Sequence, residues 1–286
     1  LDVMNRKGAL FVVMAMIAVM TFFSTTGCSD KKPTTQDTAI STTDSVSAVT
    51  DTMETIIAEA PMPKAADELF DDFIFNFAAN KKLQYKRIHF PLPVQRGGKI
   101  TYVPKNKWKM EHFFMRQDYY TLIFDNAKQM NVVKDTTISH VVVEKIFLSR
   151  NSVKQYNFNR EQGKWMLTSI CHKNIGENYN SSFLKFYKAF VSDSTFQAKS
   201  IDDPLHFTGP DPDDEFTNMS GILAPEQWPM FAPELPNGMI YNILYGQKYT
   251  ESNKKIFVIR GIANGQETEL TFVRKGKHWK LTKLIM

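Results

Sequence analysis

The second half of this chain repeats the residue pattern of the first half, at an offset of 113 to 114 residues. Such self-similarity limits the fold strongly, because each copy must then form the same structural unit. The register drifts in the middle, where Trp108 matches Trp228 only at a larger offset. Identities in the same order at both ends of the copies favour duplication over coincidence. The matching pairs are Phe70 and Phe183, Phe73 and Phe186, Phe77 and Phe190, Gln84 and Gln197, Ile88 and Ile201, Pro91 and Pro204, Leu92 and Leu205, Phe158 and Phe272, Arg160 and Arg274, Trp165 and Trp279, Leu167 and Leu281, and Thr168 and Thr282.

Each copy predicts helices followed by antiparallel strands. The aromatic triplet that opens each copy stands at positions i, i+3 and i+7, which places one apolar stripe along a helix. A shorter helix is expected near Lys82–Arg87 and again near Thr195–Ser200, ending before the Pro-Leu pairs. In the second copy, Asn264-Gly265 between two strand-like segments is a strong hairpin signal. Helices followed by a curved antiparallel sheet define an α+β fold.

The predicted copies span residues 65–176 and 180–286. Expected strands cover Val141–Leu148, Val153–Arg160, Lys164–Cys171, Ile256–Ile262, Glu267–Arg274 and Trp279–Ile285. This order resembles the nuclear-transport-factor-2-like (NTF2-like, or cystatin-like) superfamily, in which a bent antiparallel sheet wraps the N-terminal helices as a cone. From about residue 66 onward the chain is similar to an uncharacterised Bacteroidetes lipoprotein family, domain of unknown function 4348. The resemblance implies two such cones in tandem and no particular activity.

The first residues have the composition of an export signal. Asn5-Arg6-Lys7 is basic, Ala9–Phe23 is apolar apart from one threonine, and small residues follow up to Cys28. This pattern predicts a signal peptide over residues 1–27. The apolar segment is shorter than the roughly 20 residues that a permanent membrane span needs.

Thr25-Thr26-Gly27-Cys28 resembles the lipobox at which bacterial lipoproteins are cut and acylated, although Thr25 replaces the usual leucine. The relaxed Bacteroidetes pattern tolerates this change. The resemblance implies several acyl chains on Cys28, which anchor a protein stably to membrane lipid. The alternative is an ordinary secretory signal with an incidental cysteine. Lysines rather than acidic residues at positions 31 and 32 favour an outer-membrane anchor facing the periplasm of a bacterial cell envelope.

Residues 28–64 are predicted to form a disordered tether. From 29 to 60, twelve of thirty-two residues are Ser or Thr and none is aromatic, so little apolar surface offsets the ordering entropy. Thr38, Ser45 and Thr52 each follow an aspartate at seven-residue intervals. These triplets resemble the periplasmic O-glycosylation acceptor of Bacteroidetes. Chance matches in a Ser/Thr-rich linker are the alternative.

The net charge of +5 is modest, and Lys and Arg alternate with Asp and Glu, which argues against a nucleic-acid partner. If Cys28 is acylated, Cys171 has no disulfide partner. Its neighbour His172 would point to the opposite face of a strand, so the sequence favours an inert thiol over a nucleophile–base pair.

No catalytic set, metal site or cofactor site is predicted. His140, His172 and Asp125 lie near expected strands without a defining spacing, which favours structural roles. The acidic segment 209–215 lacks the alternating ligands of a calcium loop and is expected to be a solvated turn.

Trp165, Trp279, Phe73, Phe77, Phe186 and Phe190 are the candidate core or pocket aromatics. The Pro-rich segment 224–238 is either an exposed apolar patch or a lid over the sheet. The sequence favours a non-enzymatic envelope lipoprotein that binds a small apolar ligand or a protein partner. The alternatives are an isomerase- or hydrolase-like enzyme that uses a cone pocket, and a structural spacer. A deep pocket with two converging polar groups would favour the enzyme, and filled cones would favour the spacer.

Overall fold

Each half of the folded region places two helices before six strands in the computed structural model, which describes residues 67–211, 213–246, 251–262 and 264–286. All of these residues belong to one unit that begins at Ser47. No helix among the described residues is long and apolar enough to cross a membrane. The expected signal peptide and tether, with Cys28, Thr38, Ser45 and Thr52, lie outside the described residues and stay predictions.

The expected α+β order is confirmed. The first half contains α1 (Phe70–Ala79), α2 (Lys81–Lys86), β1 (Leu92–Arg96), β2 (Lys99–Val103), β3 (Tyr119–Phe124), β4 (His140–Phe147), β5 (Ser152–Glu161) and β6 (Lys164–Asn174). The second half contains α3 (Ser181–Ser192), α4 (Ser194–Lys199), β7 (Ile201–Asp211), β8 (Asp214–Leu223), α5 (Trp228–Phe231), β9 (Met239–Leu244), β10 (Lys254–Gly261), β11 (Glu267–Lys275) and β12 (His278–Ile285). Short 3₁₀ turns lie at Lys105–Lys107, Phe113–Arg116, Ala127–Lys134, Ile175–Glu177 and Pro225–Gln227.

The two halves share one twelve-stranded sheet, in the order β2-β1-β6-β5-β4-β9-β3-β10-β11-β12-β7-β8. The sequence had suggested a separate, antiparallel sheet for each copy, and both parts of that prediction are wrong. The shared sheet is mixed, because β1 runs parallel to β6, β7 parallel to β12 and β3 parallel to β9. The third strand of each half pairs with the fourth strand of the other half: β9 pairs with β4, and β3 pairs with β10. From either edge, the sheet therefore shows the same order of equivalent strands, with its innermost strand supplied by the other half.

At the centre of the sheet, β3 and β9 run parallel, with Thr121 opposite Asn242. Successive side chains of a strand point to opposite faces, so a central strand contributes to both faces. Leu122 packs in the first core and its neighbour Ile123 in the second, and likewise Ile243 and Ile240 of β9 divide between the cores. The two hydrophobic cores therefore lie on opposite faces of the shared sheet.

Helix α1 covers the first core, and helix α3 covers the second. Phe73 and Phe77 pack on Phe158 with ring centroids 5.8 and 5.4 Å apart. Their counterparts on α3 pack on Phe272 at 5.6 and 5.4 Å. Trp165 lies 5.1 Å from Phe70 in the first core. Aromatic side chains of the chain itself thus fill both interiors.

A glutamine–tryptophan contact recurs in both halves. Gln84 donates through Nε2 to the Phe77 carbonyl at 2.9 Å and accepts from the Trp108 indole at 3.1 Å. Gln197 donates to the Phe190 carbonyl at 3.0 Å and accepts from the Trp228 indole at 3.0 Å. The contact is the same although the connecting segments differ in length, which explains why the tryptophans align only at another offset.

The Gln197–Trp228 contact also bears on whether the Pro-rich segment 224–238 is an exposed apolar patch or a lid. Trp228 is buried, and Phe231 and Leu235 pack against the second core. The Tyr187 hydroxyl donates to the Pro236 carbonyl at 3.0 Å. The segment is therefore a lid on the second half, although Met230 remains exposed.

Candidate functional site

A row of polar side chains crosses the face of the sheet that carries the first core. Arg96, His172, Lys154, Lys145 and Tyr241 occupy directly paired positions on β1, β6, β5, β4 and β9. Because paired residues of adjacent strands share a face, all five side chains emerge on the same side. The fold thus collects three basic side chains, one histidine and one tyrosine from five strands.

Glu111 lies over this row. Its carboxylate is 3.3 Å from the Lys145 ammonium and 3.7 Å from that of Lys154, and it accepts hydrogen bonds from the Tyr156 hydroxyl and, at 3.2 Å, from the Tyr241 hydroxyl. Gln84 holds the Glu111 backbone, accepting from its N–H at 3.2 Å and donating to its carbonyl at 2.7 Å.

The protonation states in the row follow from these contacts. Burial opposes ionisation of Glu111, but the Tyr156 hydroxyl and the two ammonium groups outweigh it and hold the pKa of Glu111 below its usual value. Burial, together with the charges of Arg96 and Lys154, lowers the pKa of His172 to about 4. At neutral pH the imidazole is therefore neutral and Glu111 is ionised, while burial lowers the pKa of Lys154 and the Glu111 charge opposes that shift.

The corresponding strand positions of the second half carry no lysine. Ile259 and Thr268 stand 114 residues after Lys145 and Lys154, and they line a cavity of about 620 Å³. Leu235 and Glu234 of the lid and Tyr119 of the exchanged strand β3 also line it. Burial, and then the charge of Glu234, raise the pKa of Tyr119, which keeps this hydroxyl a neutral donor.

A fully buried carboxylate joins the halves elsewhere. Glu144 accepts hydrogen bonds from the side-chain amides of Gln155 at 2.9 Å, Asn178 at 2.7 Å and Asn242 at 3.0 Å. Burial raises the pKa of Glu144, and the three amides oppose that shift. The second half has Val258 at the equivalent position. This network is therefore specific to the contact between the two halves and is not part of the repeated unit.

A second buried carboxylate also links the halves. Asp71 of α1 accepts hydrogen bonds from the Tyr245 hydroxyl and, at 3.4 Å, from the Tyr120 hydroxyl. Burial raises the pKa of Asp71, while these hydroxyls and the Arg260 guanidinium oppose the shift. Neither Asp71 nor Glu144 lines the cavity in the second half.

The structure separates the polar residues that the sequence singled out. His140 is exposed and lies 2.7 Å from the Asn159 side chain, whereas Asp125 forms a buried ion pair with Lys255. The Cys171 thiol contacts the Gln95 side chain, while His172 belongs to the row on the first-core face. The acidic segment 209–215 contains the end of β7, which reaches Asp211, and the start of β8 at Asp214. In the described part of the chain, no three His, Cys, Asp or Glu side chains converge as metal ligands.

The candidate aromatics have two kinds of surroundings. Phe73, Phe77, Phe190 and Trp165 are at most 1% exposed and lie inside the cores. Trp279 and Phe186 are also largely buried but border a cleft on the surface of the second half. Glu111, Lys145 and Lys154 were missed at the sequence level. A signal was present, because Lys145 has the same strand parity as the core residues Val141 and Val143.

The fold places this chain among NTF2-like proteins. A crystal structure of an NTF2-like protein from Bacteroides fragilis NCTC 9343 is similar to it, with a TM-score of 0.72 and 42% sequence identity over 79% of this chain and 98% of that one. The family model "Domain of unknown function (DUF4348)" matches residues 49–286, and the chain belongs to this family. No curated protein matches the sequence.

Proposed function

We propose that the protein is a bacterial envelope lipoprotein, anchored through acylated Cys28 to the outer membrane and facing the periplasm. Its folded part is a non-enzymatic binding module built from two tandem NTF2-like units. The cavity beneath the lid of the second half holds a small, mainly apolar ligand. One observation carries the proposal. Ile259 and Thr268 stand where the first half has Lys145 and Lys154, so the strands that line this cavity lack those two positive charges.

The dimensions and chemistry of the cavity support this assignment. Its volume of about 620 Å³ falls within the roughly 300–1,000 Å³ of typical small-molecule sites. Leu235, Met239 and Ile259 offer apolar surface. The polar groups that would fix orientation are the Tyr119 and Thr268 hydroxyls, four side-chain amides and the Asp118 and Glu234 carboxylates, so the ligand must also form hydrogen bonds. A ligand larger than a few rings would have to displace the lid.

The enzyme alternative is supported less well. Acid–base catalysis needs groups with displaced pKa values that converge on a substrate cavity. Here Glu111 and Tyr156 have displaced pKa values, but the cavity lies in the other half, where the equivalent residues are Phe231 and Leu270. Glu111 and Tyr156 thus lie on the opposite face of the sheet from the cavity, whose own titratable groups are Asp118, Tyr119 and Glu234. An isomerase- or hydrolase-like activity would have to use the Glu111 row itself.

The cavity is tested with the neutral dye Nile red, whose fluorescence rises in apolar surroundings. Thr268→Trp fills the cavity with an indole, and Thr136→Trp adds the same side chain at an exposed position of the first half. Dye binding should fall at least severalfold in Thr268→Trp and stay unchanged in the control. Equal binding by both variants would exclude this cavity as the ligand site.

Anchoring is tested separately by cell fractionation. Cys28→Ala removes the only proposed acyl acceptor, so the protein should leave the outer-membrane fraction and become soluble or remain unprocessed. Fractionation with the outer membrane as before would reject the anchor without affecting the cavity assignment.

A further inference from the structure

A second cleft, distinct from the cavity beneath the lid, lies between helices α3 and α4 and the β11–β12 hairpin, with a volume of about 720 Å³. Three aromatic side chains form its floor. The Phe186 ring lies 5.8 Å from that of Phe196 and 6.4 Å from that of Trp279. Phe196 is 37% exposed, so apolar surface is open to solvent at the bottom of the cleft.

Basic side chains surround this aromatic floor. Five lysines line the cleft: Lys185, Lys199, Lys275, Lys277 and Lys280. Lys275 pairs with Asp202 at 2.7 Å, and Lys280 donates to the Lys199 carbonyl. Within the described residues the other three lysines form no ion pair, so the cleft carries a strong positive excess over one carboxylate.

The repeated unit does not require this charge. In the first half, Asp72, Glu161, Met166 and Leu83 stand at the positions equivalent to Lys185, Lys275, Lys280 and Phe196. Of the other two lysines, Lys199 is matched by Lys86 and Lys277 by Gly163, so the first half keeps one of the five lysines and places carboxylates at two of the other positions. Five ammonium groups around one cleft repel one another, and an anion placed among them would relieve that repulsion.

We propose that this cleft, the lysine cleft, binds a small amphiphilic anion: a molecule with an aromatic or aliphatic body and a carboxylate, phosphate or sulfonate group. The body stacks on Phe186, Phe196 and Trp279, and the anionic group lies among the lysine ammonium groups. Lys277 stands at the turn between β11 and β12, Lys185 stands on α3, and both line the cleft. Both positions suit contact with the anionic group of one ligand.

The probe is 8-anilinonaphthalene-1-sulfonate, compared with N-phenyl-1-naphthylamine, which has the same ring body without the sulfonate. The sulfonate should bind about tenfold more tightly or better, and its affinity should fall as salt is added. The double variant Lys185→Glu, Lys277→Glu should lose that advantage. Lys105→Glu, Lys107→Glu, which reverses two exposed lysines of the first half, is the matched control and should behave as the original chain.

Three results would overturn the proposal: equal affinity for the two probes, sulfonate binding unchanged by the cleft reversal, or the same loss in the control. Vesicles containing anionic lipid distinguish a membrane surface from a small ligand. If the reversal abolished vesicle binding and left sulfonate binding intact, the lysines would serve a membrane contact instead. Thr268→Trp should leave the affinity for the sulfonate unchanged, so the two sites can fail independently.

Discussion

Glu144 and Asn242 are 98 residues apart in sequence, yet the Asn242 amide donates to the Glu144 carboxylate at 3.0 Å between the neighbouring strands β4 and β9. This bond is formed only because β9 of the second half lies beside β4 of the first half. The buried carboxylate therefore reports on the exchange of strands that unites the two halves.

Two substitutions of Glu144 distinguish the stability contributed by its hydrogen bonds from the effect of its charge. Glu144→Val, which copies the second half, leaves the Gln155, Asn178 and Asn242 amides without an acceptor. It should destabilise the fold by several kcal/mol, because each buried unsatisfied donor costs about 1–3 kcal/mol. Glu144→Gln should be tolerated far better, since the Asn242 side chain can rotate to accept from the new amide. Urea unfolding measures both. Equal losses would contradict this account.

The free energy of unfolding should depend on pH through the Glu144 carboxyl. Because burial raises the pKa of Glu144 above its unfolded value, its contribution to stability is full below about pH 4.3 and is lost as the pH rises through the folded pKa. Glu144→Gln should therefore flatten the fall in unfolding free energy above that pH. An unchanged profile would show that Glu144 does not titrate differently on folding.

The stability contributed by Glu111 should depend on pH in the opposite direction. Its folded pKa is lowered, so its contribution is present above about pH 4.3 and is lost as the pH falls through the folded pKa. Glu111→Gln should cost about 1–3 kcal/mol at pH 7 and little at low pH. Exposed Glu226→Gln is the control. A cost that is constant with pH would contradict the proposed ion pairs.

Neither half should fold alone as a monomer. A chain of residues 65–178 lacks β9, so the edge of β4 would be open, and Tyr241 and Ile243 would be missing from the first core. We expect such a fragment to be unfolded or to dimerise by pairing β4 with β3 of another copy, as measured by light scattering and circular dichroism. Mixing it with residues 179–286 should restore a one-to-one complex. A stable folded monomer would contradict the exchange.

The first three strands of each half, β1–β3 and β7–β9, were not predicted from the sequence. The helices and the last three strands of each half followed from it, because the aromatic stripes and the hairpin signal are local features. The exchange did not. Tyr119–Phe124 and Met239–Leu244 are similar apolar strands buried on both faces, so neither shows the alternation that assigns a strand to one core. The partner of each strand is decided by long-range pairing with β10 or β4. The sequence also did not predict the polar row and Glu111 above it. These six residues come from six separate segments of the chain.

Native-state hydrogen exchange at increasing denaturant measures whether the exchanged strands make the two halves one cooperative body. Amides of β5 in the first half and β11 in the second should converge on a single opening free energy, together with those of β3 and β9. If β5 and β11 instead opened at different free energies, each exposing only half of the folded surface, the halves would be independent domains and the account would be wrong.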